Sequence, residues 1–162
     1  KTQAMKRAMV IWCVVCTSLL MLTSCEKEGG EGGEGSNEAK LSSNGSSESH
    51  NMGQNCMDCH QKGGGGEGWF TVAGTIYNEA NNSTVPNGLV ELYTGPNGSG
   101  SLAYTVEVDS RGNFYSTEKI NYGGGLYPVT VKGSSRRYMP DAVSNGQCNS
   151  CHGDSTHKIW GN

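Results

Sequence analysis

Two short segments, Cys56-Met57-Asp58-Cys59-His60 and Cys148-Asn149-Ser150-Cys151-His152, share the pattern C-x-x-C-H. Two thiols one helical turn apart suit addition to the two vinyl groups of a haem, and the next residue places an imidazole under the iron. The pattern predicts two covalently bound c-type haems, with thioethers at Cys56, Cys59, Cys148 and Cys151 and proximal iron ligands at His60 and His152. Three other uses compete for these residues. A four-Cys zinc site would draw on both C-x-x-C pairs, but zinc does not explain the His after each second Cys. Structural disulfides suit an exported protein, although a bridge inside C-x-x-C is strained. A thioredoxin-like motif needs an α/β setting.

The chain has four histidines: His50, His60, His152 and His157. Two haems offer four axial positions, and His50 and His157 lie just outside the two motifs. They are the candidate distal ligands, and bis-His coordination implies low-potential electron transfer with no open site. Met52 and Met139 are the alternative distal ligands, while Met57 lies inside a thioether loop and is excluded. Five residues separate His152 from His157, a reach of roughly 17 Å when fully extended. That is too little to round a porphyrin and return to its centre. If His157 ligates at all, it is expected to serve the haem of His60 or one on a neighbouring subunit.

Three of the seven cysteines lie outside the motifs. Residues 1–24 carry Lys1, Lys6 and Arg7, no acid, and an apolar run from Ala8 to Leu22. This is a charged n-region and an h-region of secretory length, too short for a confident membrane span. Cys13-Val14-Val15-Cys16 has redox spacing but falls inside that run. Leu22-Thr23-Ser24-Cys25 resembles a bacterial lipoprotein lipobox, which implies cleavage before Cys25 and its acylation; an uncleaved anchor helix is the alternative. Either outcome places the rest outside the cytoplasm; the lipobox reading attaches it through a lipidated Cys25 to the periplasmic or cell-surface face of a bacterial membrane. Residue 1 is Lys, so either Met5 is the natural start or the sequence is a fragment of a longer one. With two cysteines in the signal, one acylated and four in thioethers, none remains for a disulfide.

The elements that position the motifs must come from a small chain. Its 162 residues are 34% hydrophobic, with 25 Gly, enough for one small domain and tails. Formal charge is −3, from 12 Lys and Arg against 15 Asp and Glu. Losing the three N-terminal cations leaves a more acidic mature chain, and the absence of a basic footprint argues against nucleic-acid binding. Residues 25–49 are rich in Gly, Glu and Ser and read as a flexible tether, and Gly63 to Gly66 as a second joint.

Between the motifs, alternating segments rich in β-branched and aromatic residues run over 69–77, 88–93, 102–108, 113–117 and 126–131. Turn signals at Val85-Pro86-Asn87-Gly88, Pro96-Asn97-Gly98, Asp109-Ser110-Arg111-Gly112 and Gly123-Gly124-Gly125 separate them. This pattern predicts a mainly β chain, a small antiparallel β-sandwich of transthyretin or Ig-like kind flanked by short haem-binding segments. Pro128 within the last segment suggests an edge strand. The expected organisation is a signal peptide over 1–24, the tether over 25–49, a first haem-binding segment over 50–66, the sandwich over 67–133 and a second haem-binding segment over 134–162. Sixty-odd residues of sandwich are marginal alone, so both haem segments are expected to pack on it or on each other.

The order Val72-Ala73-Gly74-Thr75-Ile76-Tyr77, Val85 to Leu92, Val108-Asp109-Ser110-Arg111-Gly112-Asn113-Phe114 and Gly125-Leu126-Tyr127-Pro128-Val129-Thr130-Val131 resembles a carboxypeptidase regulatory-like, transthyretin-like module. Members of that family are usually non-catalytic spacers or adhesion units, so the resemblance implies no active site. At the two C-x-x-C-H motifs alone the chain resembles c-type cytochromes. The expected function is an exported, lipid-anchored dihaem cytochrome passing single electrons to a redox partner protein, and not an enzyme. The rivals are a cell-surface structural or adhesion module, a homo-oligomer or cytochrome filament subunit and, with least support in so short a chain, a dihaem peroxidase.

Overall fold

The computed structural model describes residues 36–80 and 82–161. The signal peptide, Cys13, Cys16, Cys25 and residues 25–35 of the expected tether lie outside the described residues. The described part is a mainly β sandwich of two four-stranded sheets.

In the first sheet β1 (Val72–Tyr77) is central, with β4 (Asn113–Ser116) antiparallel to it. Two short strands, β7 (Gly146–Gln147) and β8 (Ile159–Trp160), run parallel to β1, β7 at its start and β8 at its end. The second sheet is antiparallel throughout, in the order β3 (Leu102–Glu107), β2 (Leu89–Tyr93), β5 (Tyr127–Lys132) and β6 (Ser135–Tyr138). Val72, Ile76 and Phe114 of the first sheet meet Val90, Leu92 and Val106 of the second, with Val85, Val108 and Leu126 closing the ends. Burial of each such aliphatic side chain is worth about 1.5–3 kcal/mol. Thr130 of β5 donates its hydroxyl to the carbonyl of Trp160 in β8 at 2.8 Å, a polar tie between the sheets.

The five alternating segments become β1 to β5. The parallel pairing of β7 and β8 departs from the expected antiparallel arrangement, for a simple reason. The chain leaves the line of β7, makes an excursion, and rejoins the same strand in the same direction as β8. β6, β7 and β8 all come from the segment assigned to the second haem motif, so that segment completes both sheets instead of flanking them. Pro128 is a correction: β5 lies between β2 and β6, not at an edge. Pro128 falls opposite Met139, one residue past β6, and its carbonyl accepts from Met139 N at 3.0 Å. The missing N–H therefore falls where pairing with β6 is ending.

Residues 36–49 are a second correction, because they lie along the sandwich and not free of it. Ser42 is 1% exposed; its N–H donates to the Tyr115 carbonyl at 3.0 Å and its hydroxyl to the Glu107 carbonyl at 2.6 Å. Lys40 N donates to Thr117 Oγ1, and Ser110 N donates to the Ser46 carbonyl. A segment poor in apolar residues is held here through backbone and hydroxyl hydrogen bonds, which composition does not reveal.

Candidate functional site

All six residues of β1 are buried. Val72 and Ile76 face the sandwich core, while Ala73, Thr75 and Tyr77 face the other way. Both C-x-x-C-H segments bond to Thr75 on that second face, and Cys148 packs against the core cluster, so both segments pack on the sandwich. Gly53 N donates to Thr75 Oγ1 at 2.9 Å, just before the first motif. In the second motif Asn149 Oδ1 accepts from Thr75 N at 3.1 Å. The ammonium of Lys158 sits 4.1 Å from the centroid of the Tyr77 ring.

The two motifs fold alike. Each forms a single 3-10 turn, over Cys56–Asp58 and Cys148–Ser150. In each, the His N–H donates back to the carbonyl of the first Cys, His60 to Cys56 at 2.9 Å and His152 to Cys148 at 3.0 Å. The turn thus brings both sulfur-bearing positions and the imidazole onto one short stretch of backbone. Gly74 allows the second turn to approach β1: a Cβ there would stand 3.0 Å from Cys148 Cβ and 2.5 Å from Phe114 Cζ.

The histidines share a further feature. His60 Nδ1 lies 2.7 Å from the carbonyl oxygen of Glu67, and His152 Nδ1 lies 2.6 Å from that of His157. A carbonyl only accepts, so each Nδ1 carries a proton, and in the neutral ring Nε2 is then the atom with the free lone pair. Burial pushes the His60 imidazolium down from its usual range, favouring the neutral ring that binds metals. His60 is further held by Phe70, stacked on it with centroids 4.2 Å apart, and by the Gly63–Gly66 run. That run is no free joint: Gly66 N donates to the Cys59 carbonyl at 2.9 Å, and a Cβ on Gly66 would stand 2.8 Å from His60 Nδ1.

The candidate distal ligands fare differently. His50 lies beside His60, ring centroids 5.8 Å apart, and its carbonyl accepts from Asn113 Nδ2 at 3.2 Å. His157 is exposed, with its carbonyl committed to His152. Met52 is 47% exposed, and Met139 follows β6 in the second sheet, whereas both motifs are built on β1 in the first. Among the described residues no group of three or more His, Cys, Asp or Glu is arranged to hold a metal ion.

Cys56, Cys148 and Cys151 are free thiols. Burial pushes the Cys56 thiol up and the Cys148 thiol up to about 12. Sequence reasoning missed Thr75, Asn113 and Asn149, which are 1%, 2% and 5% exposed. Thr75 Oγ1 donates to Asn113 Oδ1 at 2.6 Å, and Asn113 Nδ2 donates to Ser49 Oγ at 2.9 Å. This buried polar line runs from the backbone of His50 to the second motif.

Comparison with protein-family models, curated proteins and solved structures returns no match to this chain.

Proposed function

We propose that this chain is an exported, lipid-anchored c-type cytochrome that holds two haems and passes single electrons outside the cytoplasm. One observation carries the reading: both C-x-x-C-H turns present a histidine whose Nδ1–H is taken by a main-chain carbonyl, leaving Nε2 available to an iron. Four cysteines and two histidines in two matching turns fit covalent haem, with Cys56, Cys59, Cys148 and Cys151 as the thioether positions and His60 and His152 as proximal ligands. When bound, a haem supplies a one-electron couple whose potential follows its axial ligands and burial.

The protein residues do the rest. Glu67 and His157 orient the imidazoles through their carbonyls, and Phe70 and Gly66 limit rotation of the His60 ring. His50, its ring centroid 5.8 Å from that of His60, would supply a second imidazole to a haem held there, and an iron so closed would favour electron transfer over the peroxidase reading. Cys25 supplies the anchor: several acyl chains at about 0.8 kcal/mol per buried CH₂ suffice for stable attachment.

The test is expression of the full chain with a cytochrome c maturation system. Two haems retained through denaturation and acid–acetone extraction, and a mature mass beginning at an acylated Cys25, are the expected results. Bound zinc without a Soret band would sink the reading. A haem-loaded chain that stays soluble with Cys25 unmodified would remove the anchor alone.

A further inference from the structure

The two residues between the cysteines of C-x-x-C-H need only carry the chain through one turn. In the second motif, one of them does more. Asn149 is 5% exposed and uses both ends of its amide. Its Oδ1 accepts from Thr75 N at 3.1 Å, while its Nδ2 donates to Thr75 Oγ1 at 3.1 Å and to the carbonyl of Gln54 at 2.9 Å. Gln54 stands two residues before Cys56, and the Cys56 sulfur lies 3.7 Å from that same carbonyl oxygen. Gly53, next to Gln54, donates to Thr75 Oγ1 at 2.9 Å.

One strand residue and one side-chain amide therefore hold the entry to the first motif against the second. The neighbouring spacer Ser150 is exposed and bonds only locally, to the Gln147 carbonyl at 2.6 Å. In the first motif the corresponding exposed spacer, Asp58, bonds locally to Asn55. Neither attachment of a haem nor closure of the turn requires the long-range bonds of Asn149.

Resting on the dihaem reading above, we propose that Asn149 is a positioning residue that locks the two attachment turns into one unit, so that the two irons communicate within a single chain. Its amide bonds both to β1 and to the residue two positions before Cys56. An isosteric change, Asn149→Asp, keeps an acceptor for Thr75 N but has no donor for the Gln54 carbonyl, which it meets with a second acceptor. The Asn149→Ala change removes all three bonds.

The experiment compares the haem-loaded full chain with Asn149→Asp, Asn149→Ala and Val106→Ala, the last a core truncation in β3 on the opposite sheet. Haem count is read by mass, spin state by absorption, and the magnetic interaction between the two irons by electron paramagnetic resonance. The expected result is two haems and unchanged spin states in all variants, with loss of the interaction in both Asn149 variants and its retention in Val106→Ala. An interaction undiminished in the Asn149 variants overturns the proposal. So does its equal loss in Val106→Ala, which would mark a merely structural effect. If the Asn149 variants fail to fold, the wild-type chain decides: the interaction must persist on dilution, and one that vanishes on dilution belongs between chains. A wild-type chain without covalent haem ends the dihaem reading as well, whereas two haems that do not interact end only the role of Asn149.

Discussion

The imidazole of His60 lies flat against the ring of Phe70, with centroids 4.2 Å apart and planes 8° from parallel. Phe70 is in turn stacked on Tyr115 of β4 at 4.9 Å. The orientation of His60 is thereby referred to a strand of the sandwich. Stacked aromatic pairs are worth about 0.5–1.5 kcal/mol beyond their area. Phe70→Leu is expected to lower stability by about that much in chemical denaturation. It should also alter the spectrum of the haem on Cys56 and Cys59 and leave the other haem unchanged.

Gly66 rests against the same histidine. Because a Cβ there would stand 2.8–2.9 Å from three atoms of the ring, Gly66→Ala must displace either the loop or the imidazole. The expected outcome is a perturbed spin state at the first haem with normal haem retention. An unchanged spectrum would show that the loop gives way instead.

His50→Ala in the haem-loaded chain should turn the first haem high-spin and open it to carbon monoxide, with no loss of covalent attachment. His157→Ala should leave the haem of His152 in its original spin state, because the His157 backbone already serves the Nδ1 of that histidine. A high-spin change confined to the Cys148–Cys151 haem in His157→Ala would contradict the chain-reach argument.

In the haem-free chain the free thiols should alkylate in a fixed order. Cys151 is exposed and reacts first. Cys148, pushed up to about 12 by burial, reacts last; at pH 8 only roughly one molecule in ten thousand carries its thiolate. Raising the pH toward 10 should accelerate Cys148 about tenfold per unit, until unfolding intervenes. Mass spectrometry of timed samples reads the order, and early labelling of Cys148 would show that its burial is not maintained.

Val106 is fully buried between the sheets. Val106→Ala should cost about 1–3 kcal/mol, seen as a lower denaturant midpoint at unchanged slope. Covalent haem count should not change, since attachment depends on the two turns and not on the far sheet.

Local pattern determined a good part of this protein. The two C-x-x-C-H motifs are legible because their chemistry lies within five consecutive residues, and the turns they form close with bonds no longer than four residues. β1 to β5 are legible because alternation and turn residues act over neighbours. β6 escaped notice because Ser135–Tyr138 is a polar edge strand carrying two arginines, a composition that protects an edge and hides it from a search for apolar alternation. β7 and β8, two residues each, are too short to carry any period.

What only the tertiary structure decided is how the motifs meet. Thr75 reads in sequence as one polar position in an alternating strand, and alternation cannot say whether such a face meets water or another part of the chain. Its partners Gly53, Asn113 and Asn149 lie 22, 38 and 74 residues away, and Asn149 reaches Gln54 across 95. A side-chain amide has no preference that announces a partner so distant. The chain must first close both sheets around β1 before burial makes those hydrogen bonds obligatory.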